Sequence, residues 1–207
     1  MNSETTHRHP ITLLFKPFVY IAGGQALGLG VAAILLASLL GSLSNTHFDG
    51  VLDTHTGAHV PLWFFLTEGL LDWFCMAVVL LAAGRLVSST AFRAIDVVGT
   101  QALARWPTIF ISLVTLPPGF RRFANYLVEQ FLKPEKGGQF NPADAIVFGI
   151  GTLVMIVVVC WMVYLMYKAY SISCNVKGPK AVCTFIPGLI LAEILSKFGI
   201  YGLLKLT

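Results

Sequence analysis

Long apolar runs constrain this chain more than any other feature of its sequence. Residues 17–42, 62–84, 144–167 and 181–204 each form a run of about 23 to 26 residues with few charged side chains. As a helix with a rise of about 1.5 Å per residue, each run can cross the roughly 30 Å hydrocarbon core of a bilayer. Charged residues make up 12% of the chain, about half the share of roughly 25% that is typical of a soluble domain. The sequence therefore predicts an all-α, polytopic transmembrane helical bundle.

A further stretch, 94–117, leaves the number of spans open. It is mostly apolar but contains Asp96, Arg105 and Pro107. It either crosses the membrane, which gives five spans, or only dips into it, which gives four spans and a re-entrant segment. The apolar run 106–116 favours five spans, because such a run is hard to place outside the hydrocarbon.

Basic residues outside the spans predict the orientation. With five spans and a cytoplasmic N-terminus, seven Lys and Arg residues lie inside the cell and five outside, whereas four spans leave only three opposite the N-terminus. Charge counting alone thus favours four spans. Both arrangements have a cytoplasmic tail at 1–16 and a single transmembrane domain at 17–207.

The connection 118–142 contains an amphipathic helix, predicted at about 119–133. Its apolar residues recur at spacings of three and four, and its polar residues fall elsewhere on the helical wheel. The residues expected to form its membrane-surface site are Phe120, Arg121, Arg122, Phe123, Leu127 and Phe131. A helix with this pattern is expected to lie in the headgroup plane of the membrane. The alternative is a connector whose apolar stripe packs on the bundle.

Ionisable residues inside the spans are the main candidates for a functional site. Glu68 and Asp72 are four residues apart and so share one face of their helix, and Arg105 lies at a similar depth, roughly 18 to 20 Å from the predicted cytoplasmic ends. We expect Asp72 and Arg105 to form a structural ion pair; the alternative is a polar path for transport or protons. Asp96, nearer the cytoplasmic end, is expected to meet Arg85 or Arg93.

The connection 43–61 contains His and Asp side chains that a divalent metal could bind: His47, Asp49, Asp53, His55 and His59. Because a loop has no fixed periodicity, and because neither a cysteine nor an H-E-x-x-H pattern joins this set, the spacing adds little support. We therefore interpret the segment as a solvated, glycine-punctuated loop without a metal. No cofactor is expected.

Small residues and cysteines have structural rather than chemical interpretations. Gly24 and Gly28 form a Gly-xxx-Gly pair that allows close helix packing, either in a homodimer or within the bundle. None of the four cysteines belongs to a C-x-x-C motif. A disulfide between Cys174 and Cys183 would favour four spans, since only that arrangement exposes their loop outside the cell.

Catalytic and nucleic-acid-binding motifs are missing from the sequence. It has no Gly-rich phosphate loop and no G-x-S-x-G elbow, and no basic run interleaved with aromatic residues. No catalytic residue is predicted, and nucleic acid is not expected as a partner. The expected partners are the lipid bilayer and, within it, further copies of this chain or other membrane proteins.

The order of elements resembles the Yip family of Ypt/Rab-interacting membrane proteins. The likeness extends from Phe15 onward. It rests on Phe-Lys-Pro-Phe at 15–18, on Arg105-Trp-Pro before an apolar run that ends in Pro117-Pro118, on Tyr164, Tyr167, Lys168 and Tyr170 late in the fourth span, and on Pro187 in the last. The Asp-Leu-Tyr-Gly-Pro signature of the eukaryotic members is not present, which favours a bacterial-type member.

The resemblance implies a five-helix Yip domain with a cytoplasmic N-terminus, in a bacterial inner membrane, without enzymatic activity. It implies a role in membrane organisation or in protein–protein interaction within the bilayer. The alternative function is that of a small transporter or channel subunit that uses Glu68, Asp72 and Arg105.

Overall fold

The computed structural model describes residues 10–57, 59–132 and 139–205. Most of these residues are helical. The helices are α1 Pro10–Phe15, α2 Gly23–Ser44, α3 Leu62–Val87, α4 Ala94–Ala104, α5 Thr108–Thr115, α6 Pro118–Leu132, α7 Pro142–Ser173 and α8 Gly178–Leu204. Two short strands, β1 (Thr46–His47) and β2 (His55–Thr56), pair antiparallel between α2 and α3.

Five helical segments in the described part of the chain are long and apolar enough to cross a membrane: α2, α3, α4 together with α5, α7 and α8. This confirms the predicted all-α bundle, and the chain is a multi-pass membrane protein by the length and composition of these helices. The segment 94–115 is more deeply buried by its neighbours than the other four, and it packs against α2, α3 and α7. It therefore behaves as a central span and not as a shallow dip.

The first span begins later than predicted. Residues 17–19 form a 3₁₀ turn, and α2 starts only at Gly23, whose φ of 58° is accessible to glycine at little cost. Lys16 precedes a proline, and this disfavours helical backbone at that position. Part of the predicted tail, α1, lies against α7: the indole of Trp161 donates a hydrogen bond to the Leu14 carbonyl. Residues 1–9 of that tail lie outside the described residues.

A break divides the third span into α4 and α5. Pro107 has no N–H, so the helix cannot continue its regular hydrogen bonds through this point. The chain turns instead through shorter bonds, from the Arg105 N–H to the Ala102 carbonyl and from the Thr108 N–H to the Arg105 carbonyl. As a result, Arg105 sits at the break, halfway along the span.

Close packing of α2 on α4 depends on glycines other than the predicted pair. A Cβ atom on Gly30 would lie 2.3 Å from the backbone of Ala102, whereas nothing lies within 4 Å of the Cβ positions of Gly24 and Gly28. The prediction that Gly24 and Gly28 pack within the bundle is therefore wrong. Successive helical residues point about 100° apart, so the face that carries Gly30 is turned away from the Gly-xxx-Gly face. Homodimerisation through Gly24 and Gly28 stays a prediction.

The amphipathic helix α6 divides its apolar stripe between the bundle and the exterior. Phe120 is buried against the Phe148 ring of α7, at 4.8 Å between centroids, and Arg122 makes a bidentate pair with Asp144 at 2.7 Å. Phe131, at the other end, is 77% exposed. The first half thus packs on the bundle, as in the alternative interpretation, and the second half leaves apolar surface for lipid. Residue 133 lies outside the described residues.

Five crossings place the α2–α3 connection and α6 at one end of the bundle, and the α3–α4 connection at the other. We expect single cysteines at His59 and Asn125, in a background free of native cysteines, to be labelled by an impermeant maleimide from the same side of the membrane. A cysteine at Ser89, which is also exposed, should react only from the opposite side. Labelling of the Asn125 and Ser89 positions from one side would instead establish four crossings.

Candidate functional site

An ion pair lies at the middle of the bundle. Nη2 of Arg105 is 3.2 Å from Oδ2 of Asp72, and the two side chains are 3% and 0% exposed. Because Arg105 lies at the break between α4 and α5, about 16 Å of helix separates it from either end of its span. The structure thus brings together the two residues whose depths predicted a pair.

Glu68, one helical turn from Asp72, pairs with a histidine instead. Nδ1 of His47 lies 3.0 Å from Oε1 of Glu68 and 3.2 Å from Oε2, and the carboxylate is almost completely buried. The His47 ring stacks on Phe65 at 4.5 Å between centroids. A carboxylate predicted to belong to the intramembrane charges is therefore contacted by a residue from the preceding connection.

Glu193 of α8 is a site residue that we did not predict. Its Oε2 accepts a hydrogen bond of 2.9 Å from the backbone N–H of Leu52, and its Oε1 is 3.5 Å from Nζ of Lys197. Lys197 also pairs with Asp53. An acidic residue within an apolar span was the available signal, because such residues usually have a partner. We refer to Glu68, Asp72, Arg105 and Glu193 as the polar centre.

Residues 45–57, which we call the plug, fold back into the bundle. Thr46, Phe48 and Val51 are buried, at 0%, 4% and 1% exposure. The interpretation of this segment as a solvated loop is therefore wrong. Non-helical backbone at membrane depth requires partners for its polar groups, and the polar centre supplies them: Arg105 donates to the Val51 carbonyl at 3.3 Å, and Glu193 accepts from Leu52.

The strands β1 and β2 pair at the two ends of the plug and hold these ends together. We call this paired part, residues 46–47 and 55–56, the neck. Thr46 faces Thr56 and His47 faces His55 across the ladder. Hydroxyl groups from three elements meet beneath it, since the side chains of Ser44, Thr46 and Thr115 lie within 2.8 to 3.1 Å of one another. The neck is thus fastened to the end of α2 and to α5.

The five metal-ligand candidates bind partners pairwise. Within the residues that the structure describes, no three His, Cys, Asp or Glu side chains converge as a metal site would require. The contacts are instead His47 with Glu68, His55 with Asp49 at 3.2 Å, Asp53 with Lys197, and His59 with the Asn45 side chain at 2.9 Å. The hydrogen bond from His55 lowers the pKa of Asp49, and the same contact raises the pKa of His55.

Asp96 does not belong to the polar centre. It forms a bidentate ion pair with Arg93, at distances of 2.8 and 2.9 Å. Arg93 is one of its two expected partners, and the other, Arg85, lies over the Phe92 ring. Asp96 was one of the ionisable residues considered for an intramembrane site, but it lies apart from Asp72 and Arg105 and pairs with Arg93. Nine residues, or about 13 Å of helix, separate it from Arg105.

The four cysteines are free thiols. A disulfide between Cys174 and Cys183, which would have favoured four spans, is not formed. Burial raises the pKa of the Cys174 thiol to about 12, so this thiol stays protonated and unreactive at neutral pH.

Five apolar spans packed around a buried polar centre define a polytopic α-helical membrane protein. No protein-family model matches this chain, and no curated protein or solved structure matches it either.

Proposed function

We propose that this chain is a non-enzymatic membrane protein of the Yip type, which organises the bilayer or binds other proteins within it. The observation that carries the proposal is the pairing of the intramembrane charges. Asp72 with Arg105 and Glu68 with His47 are buried and in contact with each other. Charges arranged in this way stabilise a fold, whereas a transport path needs ionisable groups that water can reach.

The surface of the protein supports an interaction role. The outer faces of the spans are apolar, and the far half of α6 adds Val128 and Phe131 as exposed apolar residues. The Yip resemblance and the basic residues of the α3–α4 and α7–α8 connections favour a cytoplasmic N-terminus and a bacterial inner membrane.

A small transporter or channel subunit is the second candidate. One observation favours it: Oδ1 of Asp72, completely buried, accepts no hydrogen bond from the described residues. The Ser196 hydroxyl lies near Asp72 but donates to the Glu193 carbonyl instead. A buried, unsatisfied carboxylate oxygen is costly unless water or a cation reaches it.

A flux measurement decides between the two functions. We expect liposomes that contain the purified protein to conduct protons no faster than protein-free liposomes, as reported by an enclosed pH dye under an imposed potential. The control is Asp72→Asn, which should give the same trace. Flux that the wild-type protein shows and Asp72→Asn abolishes would establish the transporter.

A photocross-linking measurement tests the interaction role directly. A photoreactive phenylalanine analogue at Phe131, which is exposed, should form discrete protein adducts in native membranes. The same analogue at Phe120, which is buried against α7, should form none. Lipid adducts alone at Phe131 and at Phe198, which is exposed on α8, would contradict the proposed interaction.

A further inference from the structure

Two histidines fasten the neck of the plug. His47 and His55 face each other across the β1–β2 ladder, and their rings stack with 5.6 Å between centroids and 22° between planes. Each imidazole contacts its own carboxylate. Nδ1 of His47 lies 3.0 Å from Glu68 of α3, and Nδ1 of His55 lies 3.2 Å from Asp49 inside the plug.

We propose that this neck is a proton-controlled latch: protonated His55 ties the neck to Asp49, beside the contact of His47 with α3, and loss of the His55 proton loosens the plug. The polar centre lies beneath the plug, because the plug's backbone is what contacts Arg105 and Glu193. Loosening the plug therefore gives water access to the polar centre. The inference goes beyond the proposed function, since it concerns the plug and not the partners of the protein.

The charges around the His55 imidazole favour its protonated form. Glu68 faces both rings, and Asp49 and Asp53 add negative charge near His55. Lys197, from α8, is the cation on this side, and it acts on Asp49 and pairs with Asp53. A second cavity lies between the plug and helices α6 and α7. The residues that these two helices contribute to its lining are all non-titratable: Phe120, Ala124, Leu127, Val128, Phe148, Thr152 and Met155.

The neighbouring His47 ring does not prevent the protonation of His55. The two ring centroids are 5.6 Å apart, whereas Nδ1 of His55 is only 3.2 Å from a carboxylate oxygen of Asp49. Coulomb attraction grows as the distance falls, so the contact with Asp49 dominates at His55. A small cavity of about 220 Å³, lined in part by His47, His55 and Glu68, opens beside the pair and gives protons a route to it.

The direction of the pH effect follows from the pKa shifts of His55 and Asp49. The pKa of His55 is raised from 6.5 by its contact with Asp49, so its contribution is fully present below pH 6.5 and is lost as the pH rises through the raised value. The pKa of Asp49 is lowered from 3.8, so its contribution is present above pH 3.8 and is lost as the pH falls through the lowered value. The latch is therefore closed in mildly acidic solution and opens towards alkaline pH.

Spin labelling of the plug tests the latch in the full-length protein. In a cysteine-free background, a nitroxide is attached at Thr54, which is half-buried in the plug, and its spectrum is recorded in liposomes from pH 5.5 to 8.5. We expect the mobile fraction to increase in one step with a midpoint above pH 6.5. Exchange of the Leu52 amide with deuterium, corrected for the intrinsic pH dependence, should accelerate over the same range.

Histidine variants identify the groups responsible. His55→Gln keeps a polar side chain that cannot be protonated, and it should abolish the step; because His55 is exposed, this variant is expected to fold. His59→Gln is the matched control and should retain the step, since His59 contacts the neutral side chain of Asn45. A label at Ser89 should show no pH dependence. A spectrum at Thr54 that stays constant from pH 5.5 to 8.5, or a step that survives His55→Gln, would overturn the proposal.

Discussion

Arg105→Ala is expected to destabilise the protein by about 3–5 kcal/mol, because it leaves the Asp72 carboxylate buried without its partner. The same change removes the donor to the Val51 carbonyl, and so it also loosens the plug. The measurement is thermal unfolding of the purified protein in detergent, followed by tryptophan fluorescence.

Two comparisons make this result specific to burial. Arg93→Ala breaks the pair with Asp96, in which the arginine side chain is 74% exposed, and it should change the unfolding temperature little. The double variant Asp72→Leu, Arg105→Met replaces both charges with apolar groups and should recover most of the lost stability, because no unpaired charge remains. An unchanged unfolding temperature for Arg105→Ala would show that the pair is not structural and would favour the transport alternative.

Gly30→Ala is expected to destabilise the bundle by about 1–3 kcal/mol through overpacking of α2 against α4. Its Cβ would lie 2.3 Å from backbone atoms of Ala102 and Leu103, and backbone cannot move aside as a flexible side chain can. The two helices would have to separate. The same unfolding measurement reports this change.

Gly28→Ala is the matched control on the same helix. Nothing lies within 4 Å of its Cβ position, and alanine is favoured over glycine inside a helix by roughly 0.5–1 kcal/mol. The two variants should therefore shift the unfolding temperature in opposite directions. Equal losses at both positions would instead indicate that the Gly24 and Gly28 face is also packed, as it would be in a homodimer.

Hydropathy located the helices well because burial in lipid depends on the local run of side chains. The connection before α7 shows this at residue level: Asn141 accepts a hydrogen bond from the Ala143 N–H, and Pro142 occupies the first helical position, which is a sequence-local way to start a helix. The end of α7 was predicted less accurately. The helix continues to Ser173, six residues past the predicted end of that span, because nothing in the local sequence stops it.

The polar centre was predictable only in part. Asp72 and Arg105 could be paired from their depths, since an unpaired charge inside a membrane is costly. The partners of Glu68 and Glu193 were not predictable, because His47 and Leu52 come from a connection whose polar composition is typical of a solvated loop. Leu52 and Glu193 are 141 residues apart in sequence, and no local pattern relates them.

The sequence by itself determined that this is an all-α membrane bundle, where its spans lie, and that charges at matching depths would pair. These properties follow from the free energy of transferring side chains from water into lipid. Each segment's transfer free energy is set by its own residues and does not depend on the other segments. Only the tertiary structure decided which glycines pack, which of two arginines pairs with Asp96, and that residues 45–57 enter the bundle. These features depend on helix rotation and on hydrogen bonds between distant segments, and they form only when the spans are assembled.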